Sequence, residues 1–180
     1  MESDEIKRLF QDLVEISPLW DKLGVLLGSV EAPWVPTPYD VVSAVVNMLS
    51  IGYGDIVYDL GCGDGRFVVE AAKRGAKGVC VEIDKRLIEV AKNNAKMHGV
   101  DDKVVFISDD IVNADLSPAT TIYMYLTTGV IEKLKSKIMN EVRPGTVIAS
   151  LCYEVKWLDP LDIAEVYVND RKYDVYIYLV

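Results

Sequence analysis

In the first third of the chain, apolar residues recur at the three- and four-residue spacing of amphipathic helices. One such stripe lies in residues 6–14, and a short second helix is predicted to begin at Ser17-Pro18. Three prolines within residues 33–38 then favour an extended segment. A further helix is predicted after these prolines, and its apolar face consists of Val41, Val42, Val45, Val46 and Leu49. We therefore expect a helical extension over residues 1–34, ahead of the main domain.

From residue 56 onward, short apolar runs alternate with amphipathic helices. The predicted strands cover residues 56–60, 78–83, 104–108, 120–126 and 146–153. The last helix between them is marked by Val130, Leu134 and Ile138. Two β-rich runs then flank Asn169-Asp170-Arg171-Lys172, which is a hairpin signal. This order predicts an α/β fold with a mainly parallel sheet, a C-terminal antiparallel hairpin and helices on both faces.

A glycine-rich stretch, Asp59-Leu60-Gly61-Cys62-Gly63-Asp64-Gly65-Arg66, follows the first predicted strand. Ligands of parallel α/β sheets bind beyond the carboxyl ends of the strands, and glycine lets the backbone approach them closely. The dinucleotide fingerprint would have its third glycine at position 66, where this chain has arginine. Asp59 and Asp64 would repel a pyrophosphate but attract a ligand that carries cationic groups. S-adenosylmethionine, with its ammonium and sulfonium, fits that description.

Acidic residues also follow the second and third predicted strands. Glu82 lies 82 − 59 = 23 residues after Asp59, which is the spacing at which a carboxylate binds a ribose diol. Asp110 follows the third strand and could accept a hydrogen bond from an adenine amino group, with Asp109 as the alternative. Each acid alone could simply cap a helix. Three acids after three successive strands favour a nucleoside-binding site.

The stretches DLGCGDGR (59–66), VEID (81–84) and SDD (108–110) resemble the motifs of class I S-adenosylmethionine-dependent methyltransferases. The resemblance covers roughly residues 36–180 and implies a Rossmann-like methyltransferase domain over residues 35–180. It also implies S-adenosyl-L-homocysteine as the product of the cofactor. The cofactor-binding residues implied by the resemblance are Asp59, Gly61, Gly63, Asp64, Gly65, Glu82, Ile83, Asp109 and Asp110.

A narrower resemblance appears in VPTPYDVV (35–42), DIVYDLGCGDGR (55–66), MYLTTGVIEKLKSKI (124–138) and PGT (144–146). These stretches are similar to the small archaeal protein-lysine methyltransferases, which are related to mitochondrial lysine methyltransferases. The resemblance implies methylation of lysine ε-amines on protein substrates with exposed lysines. The chain departs from that pattern at its N-terminal helices. It also departs at Trp34 and Tyr125, where a tyrosine and a phenylalanine are expected.

Aromatic residues are the candidates for the acceptor side of the site. Tyr125 ends the fourth predicted strand, where this type of fold presents groups to the methyl-accepting atom. An aromatic wall there could align an amine for in-line attack, so Tyr125 is the predicted catalytic residue. Trp34 and Tyr39 flank the proline segment and are predicted to line a lysine channel. The alternatives are an ordinary core position for Tyr125 and an aromatic clamp on the N-terminal helices for the other two.

Composition narrows the classes of partner. The formal net charge of 19 − 28 = −9 disfavours a nucleic-acid surface and suits a basic protein partner. No apolar run reaches the ~18 residues that span a bilayer, and the acidic start favours a cytoplasmic location. A methyltransferase for RNA or for a small metabolite stays open, as does a non-catalytic cofactor-binding domain.

The cysteines and the histidine show no metal-binding pattern. Cys62, Cys80, Cys152 and His98 lie far apart in the chain, without the short spacings of zinc sites. We therefore predict no metal centre and no disulfide framework.

Overall fold

The structure, a computed structural model, describes residues 34–180 of the chain. The chain divides into two compact units, Met1–Pro36 and Thr37–Val180. The helices predicted before residue 32 lie outside the described residues, so the N-terminal extension stays a prediction. All of the elements below belong to the second unit.

The second unit alternates helices and strands along the sequence. The helices are α1 (Tyr39–Met48), α2 (Arg66–Lys73), α3 (Lys85–Met97), α4 (Thr128–Lys133) and α5 (Lys135–Glu141). The strands are β1 (Ile56–Leu60), β2 (Lys77–Val81), β3 (Val104–Ile107), β4 (Thr121–Met124), β5 (Val147–Leu151), β6 (Asp162–Val168) and β7 (Arg171–Leu179). Short 3-10 turns lie at Asp101–Lys103 and Ile111–Asn113. Within residues 34–180, no helix has the length and apolar character that crossing a bilayer requires.

The strands form one seven-stranded sheet in the order β3-β2-β1-β4-β5-β7-β6. Strands β1 to β5 pair in parallel, whereas β7 is antiparallel to both β5 and β6. Asn169 and Asp170 form the turn between β6 and β7 with φ values of 48° and 60°, as a tight two-residue hairpin requires. The strand order reverses between β1 and β4, which defines the switch point where such sheets bind ligands. The predicted α/β fold with its terminal hairpin is confirmed.

The predicted apolar faces form the core on both sides of the sheet. On one face, the valine stripe of α1 packs with Phe67, Tyr123 and Tyr173. On the other face, Leu116 and the helices α4 and α5 cover the central strands. The apolar face of α3 packs on a third cluster around Val68 and Cys80. Because both faces of the central strands are buried, these strands read as continuous apolar runs in the sequence.

The region predicted as one helix around Leu134 is two short helices. Leu134 has helical dihedrals, but its N–H donates to the carbonyl of Ile131 at i−3. This tighter turn separates α4 from α5. The residues buried in the core are Ile131, Leu134 and Ile138, while Val130 is only partly buried. The apolar stripe thus starts one residue later than the sequence pattern indicated.

The prediction that the cysteines form no disulfide is wrong for one pair. Cys62 and Cys80 are disulfide-bonded, with their Cα atoms 5.3 Å apart. Cys80 lies in β2 opposite Asp59 of β1, and Cys62 lies just beyond the end of β1. The crossover through α2 brings these cysteines together although 18 residues separate them in sequence. A test for short metal-type spacings therefore could not find the pair. Cys152 is not part of a disulfide.

Candidate active site

The glycine loop connects β1 to α2 at the switch point of the sheet. Gly61, Gly63 and Gly65 have φ values of 79°, 55° and 74°, a left-handed conformation that residues with side chains rarely adopt. A Cβ on Gly65 would lie 2.8 Å from the Cβ of Ala91 in α3. A Cβ on Gly61 would lie 3.0 Å from Leu126, just beyond β4. The loop therefore needs glycine both for its backbone conformation and for its close packing.

Glu82 holds the loop from the neighbouring strand. It follows β2 directly and is buried, and its Oε2 accepts a hydrogen bond from the N–H of Gly63 at 3.0 Å. Its Oε1 accepts from the N–H of Asp84 at 2.9 Å. Each carboxylate oxygen can accept a second hydrogen bond, so Glu82 retains capacity for ligand hydroxyls. Two residues predicted for the cofactor site, Gly63 and Glu82, are thus in direct contact.

Asp59 is a buried carboxylate beneath the same loop. Its side chain is only 4% exposed, near the end of β1. Burial raises the pKa of Asp59 well above its ordinary value, and the nearby Glu82 and Asp64 carboxylates raise it further. A cationic ligand group would relieve this repulsion, which makes the site complementary to positive charge.

Asp64 does not offer the free carboxylate that the sequence suggested. Its oxygens accept from Arg66 Nη2 at 2.6 Å and from Arg66 Nε at 2.9 and 3.1 Å. Both residues are buried, and Asp64 keeps the pKa of Arg66 raised although burial alone would lower it. Asp64 as a cofactor contact stays a prediction, but its charge already has a partner in the protein.

The residues predicted on the adenine side lie at the same edge of the sheet. The N–H of Glu82 bonds to the carbonyl of Ile107 at the end of β3, which joins the two strand ends. Ile83 is 68% exposed and can cover an apolar ring. Asp109 accepts from Asn113 Nδ2 at 2.9 Å, and Asp110 accepts from the N–H of Val112 at 3.1 Å. Both acids therefore shape the turn after β3.

The acceptor side is aromatic. Tyr125 follows β4 and is half-buried, and its ring centroid lies 6.2 Å from that of Tyr153 after β5. Burial raises the pKa of Tyr125 well above its ordinary value, so the hydroxyl stays protonated at neutral pH. Tyr39 is 58% exposed at the start of α1. Trp34 is half-buried but belongs to the first unit, so its part in a channel stays a prediction.

Two residues at the site, Arg66 and Tyr123, were missed as functional candidates. In the sequence, Arg66 stood out only as a departure from the dinucleotide fingerprint. In the structure, its guanidinium donates to the carbonyl of Thr37 and lies over the ring of Tyr39. Tyr123 is buried in β4, stacks on Phe67 and shares a hydrogen bond with Thr37. The available sequence signal was a lone arginine two positions after an acid at the start of an apolar helix. A buried cation at that place requires a buried carboxylate partner.

The reversed strand order, the glycine loop and the acids at the carboxyl ends of β1 and β2 define a Rossmann-like methyltransferase that uses S-adenosylmethionine. The chain belongs to the family of the ANTKMT methyltransferase domain, whose model matches residues 59–162. The glycine cradle and the surplus of buried carboxylate fit a cofactor with an ammonium and a sulfonium.

Individual relatives extend the match over most of the chain. A protein-lysine N-methyltransferase of Saccharolobus islandicus (strain REY15A) is 37% identical over 150 residues, which are 82% of this chain and 93% of that protein. A human lysine N-methyltransferase that is named for an ATP synthase subunit is 29% identical over 116 residues, 64% of this chain and 49% of that protein.

A solved structure has the same architecture. The crystal structure of an RNA methyltransferase from Salinibacter ruber in complex with S-adenosyl-L-homocysteine superposes with a TM-score of 0.75 at 37% identity. The match covers 81% of this chain and 94% of that chain.

Proposed function

We propose that this methyltransferase acts on the ε-amino groups of lysine side chains in proteins. The observation that carries the proposal is an aromatic pair, the half-buried Tyr125 and the exposed Tyr153, at the carboxyl end of the sheet, beside the glycine loop. An apolar aromatic opening suits a long side chain that must arrive without its proton. The lysine methyltransferases similar to this chain support the same acceptor.

On the cofactor side, we assign Glu82 to the ribose hydroxyls and Asp59 to the cationic amino-acid end. The loop glycines allow close approach, and Ile83 with Asp109 or Asp110 would contact the adenine. When bound, S-adenosylmethionine supplies an electrophilic methyl group. The chain's own residues orient the two reactants in line and exclude water from the reacting atoms.

Deprotonation of the acceptor is assigned to the environment of the site. A lysine ε-amine has an ordinary pKa of about 10.4 and attacks only as the neutral amine. His98 caps the end of α3, at the edge of the sheet opposite the glycine loop, so it cannot serve as a base. Burial of the amine between aromatic rings lowers its pKa. Turnover should therefore rise from about pH 7 towards pH 9.

Variants of Tyr125 test the aromatic wall. Tyr125→Phe keeps the ring and should retain substantial activity, whereas Tyr125→Ala should lose most of it while S-adenosyl-L-homocysteine still binds. Steady-state rates and calorimetry on both variants give the answer. A dead Tyr125→Phe enzyme with intact cofactor binding, or a rate profile that peaks near neutral pH, would show that a general base acts instead.

RNA methylation is the second candidate, because the Salinibacter ruber RNA methyltransferase is 37% identical to this chain. The net charge of −9 opposes it. A cell extract incubated with enzyme and tritium-labelled S-adenosylmethionine decides between them. Label in protein, mapped to lysine by mass spectrometry, supports the proposal. Label in RNA supports the second candidate, and label in neither rejects both. The cytoplasmic location stays a prediction from the sequence.

A further inference from the structure

Arg66 ends the glycine-loop motif and is not among the residues assigned to the cofactor. It is the first residue of α2 and is only 7% exposed. Its Nε and Nη2 bond to the carboxylate of Asp64 in the loop. Its Nη1 donates to the carbonyl of Thr37 at 2.6 Å, and its guanidinium carbon lies 4.7 Å from the ring centroid of Tyr39.

A second set of contacts joins the same segment to β4. The hydroxyl of Thr37 lies 3.3 Å from the hydroxyl of Tyr123. The ring of Tyr123 stacks on Phe67 of α2, with centroids 3.7 Å apart. Tyr123 precedes Tyr125 by two positions, at the strand end where the acceptor wall lies. Through the buried Thr37, the segment that leads into α1, the glycine loop and the acceptor strand therefore form one network.

We propose that Arg66 is a positioning residue that ties the Thr37–Tyr39 segment to the glycine loop, so that cofactor binding orders the acceptor channel. The inference rests on the proposed function, since it takes the aromatic opening as the channel. Cofactor contacts with the loop fix Asp64, which fixes the guanidinium of Arg66. The guanidinium in turn fixes the carbonyl of Thr37 and the ring of Tyr39.

Arginine is required for this role because its planar guanidinium serves three partners at once. It meets the Asp64 carboxylate along one edge, donates to a carbonyl from another, and lies over the Tyr39 ring. Lysine carries the same charge but cannot reproduce this geometry. Arg66→Lys therefore keeps a cation beside the buried Asp64 and removes the link.

Arg74 provides a matched control on the same pair of helices. It caps the far end of α2, where its side chain bonds to Glu70 and to Asn47 of α1. Arg74→Lys makes the same chemical change between α2 and α1, but at the end of the helices away from the glycine loop. A general loss of helix packing would affect both variants alike.

Hydrogen exchange with and without S-adenosyl-L-homocysteine tests the link. In the wild type and in Arg74→Lys, the ligand should slow exchange of the amides of residues 42–46 in α1 by about fivefold or more. In Arg66→Lys this slowing should disappear, while the dissociation constant of the ligand stays within about threefold. Equal slowing in Arg66→Lys would overturn the proposal. Loss of the slowing in Arg74→Lys to the same degree as in Arg66→Lys would also overturn it.

Steady-state kinetics provide a second measurement, because a purely structural ion pair would not change the acceptor KM selectively. In Arg66→Lys, KM for the protein acceptor should rise about tenfold, with a smaller fall in kcat and little change in KM for S-adenosylmethionine. Changes of similar size in kcat, in KM for the acceptor and in KM for S-adenosylmethionine would overturn the proposal. If Arg66→Lys does not fold, Tyr39→Leu removes the ring and leaves the ion pair, and it must reduce the slowing of exchange that the ligand causes in residues 42–46.

The exchange experiment needs no methyl acceptor, so the two proposals can fail separately. If the ligand slows exchange in α1 through Arg66 but no lysine is methylated, the proposed function is rejected and the role of Arg66 is supported. Lysine methylation without coupling would do the reverse.

Discussion

At the scale of single residues, the carboxylate of Glu82 is proposed to combine two tasks. It holds the loop through the N–H of Gly63 and keeps acceptor capacity for the ribose hydroxyls. Glu82→Ala should weaken binding of S-adenosyl-L-homocysteine about 30- to 1000-fold, because two charge-assisted hydrogen bonds are worth about 2–4 kcal/mol. Calorimetry measures the change. Glu89→Ala, which removes an exposed partner of Lys92 on α3, should leave the dissociation constant unchanged. Equal affinities in the two variants would contradict the assignment.

If Asp59 binds the cationic end of the cofactor as proposed, cofactor binding should depend on pH. In the free protein its pKa is raised by burial and by the neighbouring carboxylates, so it binds a proton more strongly than an ordinary aspartate. A cationic ligand favours the ionised form, so binding must release that proton wherever the pH lies below the raised pKa. Affinity should therefore increase with pH up to the raised pKa and then level off.

Calorimetry in two buffers of different ionisation enthalpy measures this proton release. Asp59→Asn should bind S-adenosylmethionine more weakly and release no proton. The same raised pKa also lowers the stability of the fold. Between the ordinary pKa of aspartate and the raised pKa of Asp59, the folded state binds more protons than the unfolded state, so the free energy of unfolding falls as pH rises through that window. A wild type with the same proton release as Asp59→Asn would reject this account.

Sequence reasoning found Asp59 and Glu82 because parallel strands end at one edge of the sheet. Acids placed after successive strands must therefore be close in space. It did not find the ion pair of Asp64 with Arg66, because an arginine two positions after an acid requires a carboxylate partner only when it is buried, and the sequence pattern did not show that burial. The roles of Asp109 and Asp110 could not be separated either, since both cap the same short turn.

At the scale of elements, the packing of the glycine loop against α3 can be separated from its backbone conformation. Gly65 and Gly99 both have positive φ, 74° and 65°, but only Gly65 would bring a Cβ against α3, 2.8 Å from Ala91. Gly99→Ala should cost about 1–2 kcal/mol of unfolding free energy from its left-handed backbone. Gly65→Ala should cost about 1–3 kcal/mol more, because the added methyl overpacks the contact. Urea denaturation of both variants measures the difference, and equal costs would contradict the packing argument.

The elements themselves were largely predictable from apolar periodicity. The strand Ile56–Leu60 was predicted at its observed ends, and the buried face of α1 is its predicted valine stripe. The break at Leu134 was not predictable, because the apolar spacing continues across it and only hydrogen bonding changes there. The Cys62–Cys80 disulfide depends on the pairing of β1 with β2, which the spacing of the cysteines in the sequence does not reveal.

At the scale of the whole molecule, net charge should select among protein acceptors. The chain carries a formal charge of −9, so it attracts a basic, lysine-rich segment over distances of about a Debye length. That length shrinks from about 30 Å at 0.01 M salt to about 8 Å at 0.15 M. Association of a basic acceptor should therefore weaken as salt is added, while chemistry at the shielded site should change little.

Two acceptor peptides of equal length, each with one lysine but with basic or acidic flanks, measure this effect. Between about 0.01 M and 0.15 M salt, KM for the basic peptide should rise several-fold, KM for the acidic peptide should fall or stay level, and kcat should hold for both. A shared loss of kcat would indicate damage by salt rather than screening. If KM of the two peptides responds equally to salt, the acidic surface plays no part in acceptor choice, and recognition must come from the aromatic channel alone.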